Sequence, residues 1–90
     1  MEFECDSRKA AANYRNHDIS YQEAATIFGD PLAITFEDPD HSMDEKRYIT
    51  FGFSQQKRLL VVSHTHRRER IRIITARLMT RKERRIYEEG

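Results

Sequence analysis

The chain has no tryptophan, one cysteine, two prolines and three glycines in 90 residues. Cys5 has no partner for an internal disulfide, which fits a reducing cytoplasm. No low-complexity tract or internal repeat divides the chain, and its length suits a single domain over residues 1–90. No apolar run approaches the roughly 18–20 residues of a membrane span, and none follows the acidic start Met1-Glu2-Phe3-Glu4 as a signal peptide requires. The glycine-rich phosphate loop, the dinucleotide fingerprint and the Gly-x-Ser-x-Gly elbow are all missing, so nucleotide hydrolysis, dinucleotide binding and the usual serine chemistry lack their signals. A chain this short buries only about 60–65% of its unfolded surface, so any chemistry is expected on an open face or shallow groove.

Charge is plentiful, and it is unevenly spread. The formal net charge is only +1, yet residues 1–56 carry five Lys/Arg against eleven Asp/Glu. Residues 57–85 reverse this, with eleven Lys/Arg against Glu69 and Glu83. Such asymmetry suggests a polyanion-binding side. Nine of those eleven basic residues are Arg, which grips phosphate through two parallel hydrogen bonds where Lys acts as a point charge.

Hydrophobic patterning predicts an α+β domain in the order β-α-α-β-β-β-β-α. Glu2 to Cys5 alternates like a short strand, Asp6 is placed as an N-cap, and a helix runs to about His17. On it Ala10, Tyr14 and His17 share an apolar face, while Lys9, Asn13 and His17 form an adjoining polar stripe. Ser20 with Glu23 makes a capping box for a second helix, with Tyr21, Ala24, Ala25 and Phe28 inward and Gly29 closing it. Leu32 to Phe36 and Tyr48 to Phe53 read as strands around an acidic loop. Leu59 to Val62 reads as a central strand covered on both faces, Thr65 to Glu69 as a turn, and Ile71 to Arg77 as a last strand. Their close spacing argues an antiparallel meander. Thr80 with Glu83 then opens a short basic helix.

Several residue types fit chemistry on a phosphate. Alternation sends Arg70 and Arg72 to one face of the last strand and Ile71 and Ile73 to the other. Arg77 ends that strand beside Arg81 and Lys82, and such a cluster can stabilise charge that builds on a phosphate during cleavage. A solvated arginine-rich edge is the plainer reading. His64 suits proton transfer with a ribose 2′-hydroxyl, and a structural or exposed role is the equal alternative. His64 and His66 sit on one side of an extended chain as a metal pair would, but no third or fourth ligand stands at a fixed spacing, so no metal is expected. Lys9 and His17 can meet the arginines across a groove or simply line a solvated helix. Asp40, His41, Asp44, Glu45 and Arg47 mark a loop and strand entry that can position groups or face solvent.

Several of these stretches together resemble one family. Phe3-Glu4-Cys5-Asp6 with Lys9 and Asn13, His17 to Ala24, and Phe28-Gly29-Asp30 are similar to the start of the BrnT toxins. Glu45-Lys46-Arg47, Gly52, Leu60-Val61-Val62 and above all Ile71-Arg72-Ile73-Ile74-Thr75-Ala76-Arg77 are similar to the rest. The resemblance implies a RelE-like fold, RNA cleavage without metal or cofactor, and a BrnA-like antitoxin that caps the toxin and binds operator DNA. The chain departs from the family pattern at three places. Cys5 stands where Trp is usual, Asp18 where Gly follows the helix, and His66-Arg67-Arg68-Glu69 where the last turn contains Gly.

The expected function is that of a metal-independent endoribonuclease toxin in the cytoplasm that cleaves RNA, with mRNA as the foremost candidate, and so inhibits translation. Lys9, His17 or His64 would transfer protons, and Arg72 and Arg77 would stabilise the transition state. Arg47, Arg70, Arg81, Lys82, Arg84 and Arg85 would bind RNA. The alternative is a non-catalytic RNA- or ribosome-binding module, which the basic segment explains equally well but which usually shows paired surface aromatics. A DNA-binding repressor ranks lower, since the helix pair lies in the acidic half of the chain.

Overall fold

The computed structural model describes residues 2–41 and 46–89, so Asp44 and Glu45 lie outside the described residues. The elements are β1 (Glu2–Glu4), α1 (Ser7–His17), α2 (Tyr21–Thr26), a 3-10 turn (Ile27–Gly29), β2 (Ile34–Glu37), a second 3-10 turn (Pro39–His41), β3 (Arg47–Phe53), β4 (Leu59–Arg67), β5 (Arg70–Leu78) and α3 (Arg81–Glu89). The expected order is observed.

Short-range chemistry starts and stops the helices. The Asp6 carboxylate accepts from the N–H of Arg8 at 2.8 Å, and Ser20 Oγ accepts from the N–H of Glu23 at 3.0 Å. Asp18 ends α1 at φ 58°, a left-handed position that its short polar side chain tolerates. Arg68 does the same at φ 56° in the two-residue β4–β5 loop. The first is where the BrnT pattern has Gly, and the second lies within the stretch His66 to Glu69 where that pattern contains one. Gly29 has no positive φ; α2 tightens into the 3-10 turn at Ile27 instead of closing on it. Gly52 serves by its lack of a side chain, because a Cβ there would lie 2.8 Å from Ile27 Cβ.

The sheet has five strands in the order β1-β5-β4-β3-β2. β2 to β5 form the expected antiparallel meander, but β1 pairs with β5 in parallel, so the sheet is mixed and not antiparallel. The long chain between β1 and β5 supplies the crossover that parallel pairing needs. Leu60 and Val62 of β4 pack with Ile19, Ala24, Ile27 and Ile73 under α1 and α2, while Val61 packs with Phe51 and Met79 on the other face. The central strand is thus covered on both faces, as its unbroken apolar run implies. It continues through Arg67, so Thr65 to Arg67 is strand and only Arg68 and Glu69 turn.

On α1 the inward polar residue is Asn13, 5% exposed, whereas Tyr14 is 56% exposed. Asn13 Nδ2 donates to the carbonyls of Ile19 and Ala76 at 3.0 and 2.9 Å, and its Oδ1 accepts from the N–H of Ala76 at 3.0 Å. One buried amide therefore ties α1 to the connection before α2 and to β5.

Candidate nucleic-acid interface

The feature that organises the site is a β-bulge. Across β4 and β5, Ser63 pairs with Thr75 but His64 pairs with Ile73, leaving Ile74 without a cross-strand partner. The carbonyl of Ile74 instead accepts a hydrogen bond from the buried Tyr21 hydroxyl. Arg72 and Arg77 are five residues apart, and unbroken alternation would put them on opposite faces. The extra residue restores them to one face, since Arg72 pairs with Thr65 and Arg77 with Val61, two residues of regular β4 separated by four. β3 adds Arg47, which pairs with Thr65 from the other side. A row Arg47–Thr65–Arg72 thus crosses three adjacent strands, with Glu4 of β1 beside Arg72.

This is the face away from α1 and α2. α3 packs against its Phe51–Val61–Met79 end through Tyr87. Half-exposed Arg47, Ser63 and Arg72 and exposed Thr75 open the remainder to solvent. Thr65 is the exception at 1% exposed, and among the described residues its hydroxyl has no hydrogen-bond partner.

The structure sorts the basic residues by what already holds them. Arg58 is tied to the nearly buried Glu23 by its Nε at 2.9 Å and by a further Nη contact, and it donates to the Asp18 carbonyl at 2.9 Å. Arg70 reaches Glu2 at 3.0 Å and Glu4 at 3.8 Å. Arg77 donates to both carboxylate oxygens of Glu83 at 2.7 and 2.9 Å and to the Leu78 carbonyl at 3.2 Å. That leaves two of its five N–H groups free to bind another oxygen. The Arg77 hydrogen bonds hold Glu83 down at about 2, well below the usual carboxylate range. Among the described residues, no ion pair engages Arg47 or Arg72. Arg81, Lys82, Arg84 and Arg85 are exposed along α3.

The groups expected to transfer protons lie elsewhere. Lys9 and His17 are exposed on α1, and His64 is 1% exposed beneath the helical layer. All three belong to the opposite side of the sheet from Arg47, Arg72 and Arg77, so these two sets are not brought together. His64 Nε2 bonds Thr50 Oγ1 at 2.7 Å, its ring meets Phe28 edge-on and stacks on Tyr48, and its Nδ1 is unpartnered. His66 neighbours it at 5.2 Å between ring centres, and among the described residues no third metal-ligating side chain joins them.

Burial, then the neighbouring His66, pushes His64 down to about 4 from 6.5. The unfolded chain therefore takes up this proton at a higher pH than the folded chain. His64 costs no stability well above pH 6.5, and stability falls as the pH drops from 6.5 towards 4, by up to about 3 kcal/mol. Urea midpoints measured across that range should show this slope in the wild type and lose it in His64→Gln.

Two interactions were not legible from the sequence. Ser20 with Glu23 reads as a capping box, but the Glu23 carboxylate turns to Arg58 and Ser54, 35 and 31 residues on. The Thr80–Glu83 box does form, yet Glu83 reaches back to Arg77 as well. A carboxylate at a helix start has two possible partners, and only the fold chooses between them.

A small α+β domain with Arg47 and Arg72, unpaired among the described residues, on one open sheet face defines a phosphate-compatible surface. A family model described as the ribonuclease toxin, BrnT, of type II toxin–antitoxin systems matches residues 5–83, and the chain belongs to that family. A type II family implies an antitoxin partner. Among individually characterised proteins, none matches the chain significantly. Among the described residues, no helix is long and apolar enough to cross a membrane.

Proposed function

We propose that the protein is an endoribonuclease that cleaves RNA, foremost mRNA, in the cytoplasm and thereby inhibits translation. The bulge-aligned arginine face carries this reading. Arg47, Arg72 and Arg77 bind the scissile phosphate, and Arg70, Arg81, Lys82, Arg84 and Arg85 draw in the flanking backbone. The substrate's own 2′-hydroxyl attacks phosphorus, the P–O5′ bond breaks, and charge accumulates on the non-bridging oxygens as the new P–O2′ bond forms. The guanidiniums stabilise that charge. The O2′ proton passes to solvent water and the departing O5′ takes one from water, giving 2′,3′-cyclic phosphate and 5′-hydroxyl ends. Among the described residues no histidine side chain lies on this face, and the contribution read for it is electrostatic, with His64 packed in the core. The α+β frame is the one expected of a RelE-like ribonuclease, and a BrnA-like antitoxin that binds operator DNA is its expected partner.

Purified protein incubated with RNA in EDTA should give those product ends. Products with 5′-phosphates that require added magnesium would overturn the mechanism. A folded protein that binds RNA without cutting it would favour the non-catalytic binding module.

A further inference from the structure

Thr65 is at once the most buried and the least satisfied residue on the arginine face. It is 1% exposed, its hydroxyl has no partner among the described residues, and it stands in direct register between Arg47 and Arg72. The other buried threonine, Thr50, is on the helix-covered face and bonds both Thr35 and His64, at 2.8 and 2.7 Å. A strand position needs β-branching there, and Val would supply it without an orphaned hydroxyl. Buried polar groups without partners are rare and costly, and they concentrate where function holds them. Neighbouring strands lie about 4.8 Å apart, so Arg47 and Arg72 flank Thr65 by one strand on each side. An anion held between two such guanidiniums lies over the middle strand.

We infer that Thr65 is a phosphate-binding residue, whose hydroxyl donates to a non-bridging oxygen of an RNA phosphate held between Arg47 and Arg72. The inference rests on reading this face as the substrate face. Thr65 is 1% exposed, so binding requires the side chains that cover it to shift and expose the hydroxyl. Thr65 then supplies a short, directional bond on the floor of the site, complementing two long cationic arms. Its position also fixes where along the sheet the phosphate sits, one residue beyond the bulge on β4 and on the same face as Arg77.

The test is Thr65→Val, which keeps the shape and deletes the hydroxyl, with Thr65→Ser restoring it and Thr65→Ala as a second deletion. Each is assayed for cleavage and, separately, for binding of a short 2′-O-methyl RNA that cannot be cut. Thr65→Val is expected to have a higher urea midpoint than wild type, because an orphaned polar atom is gone. It should nevertheless bind the oligonucleotide and cleave RNA roughly tenfold less well, with Thr65→Ser close to wild type. Thr65→Val and Thr65→Ala that bind and cleave like wild type would overturn the inference while leaving the ribonuclease reading intact. If wild type binds but does not cut, a loss of binding in Thr65→Val would uphold the phosphate site while the ribonuclease reading falls.

Discussion

Arg72→Ala is expected to lower RNA cleavage by about 10²–10³-fold while changing the unfolding free energy by less than about 0.5 kcal/mol. The reason is what Arg72 does not touch. Among the described residues no carboxylate pairs with it, and only its cross-strand neighbours Thr65 and Glu4 flank it. Removing the guanidinium leaves no buried charge behind. Arg77→Ala should differ, because its loss strips Glu83 of two charge-assisted hydrogen bonds and loosens the start of α3. That variant should lose activity and stability together. Cleavage rates beside urea titrations separate the two cases, and Arg72→Ala that cuts at the wild-type rate would remove this residue from the site.

The largest expected loss of stability is at Asn13→Ala, about 2–4 kcal/mol. Three hydrogen bonds disappear at one buried position, and the N–H and C=O of Ala76 are both left without partners beneath α1. A hydrophobic replacement cannot compensate, because the orphaned groups belong to the backbone of β5. Urea unfolding followed by circular dichroism measures it. A cost below about 0.5 kcal/mol would mean that α1 is held chiefly by its apolar contacts.

Much of the fold was legible because local signals agree with it. Asp6, Ser20 and the Thr80–Glu83 box mark helix starts, and the unbroken Leu59–Val62 run marks the central strand. The parallel placement of β1 was not legible, since a three-residue strand carries no signal of its partner. The bulge was hidden for a related reason. Ile71 to Ala76 reads as plain alternation with one extra apolar residue, and only the pairing with β4 and the Tyr21 hydroxyl shows where that residue is taken up. The sequence therefore pointed to Arg72 and Arg77 as partners while its simple periodicity set them on opposite faces. For His64 the residues alone allowed proton transfer or a structural place, and β4 runs on past it and buries it against Phe28 and Thr50.

The central claim is that RNA is bound by the sheet face that carries Arg47, Thr65, Arg72 and Arg77. It is tested most directly by mapping amide chemical shifts while a non-cleavable 2′-O-methyl RNA is titrated into the labelled protein. The expected perturbations fall at the start of β3, the end of β4, both sides of the bulge in β5 and the first turns of α3, with α1 unmoved. Perturbations confined to α1 around Lys9 and His17, with β5 silent, would contradict it.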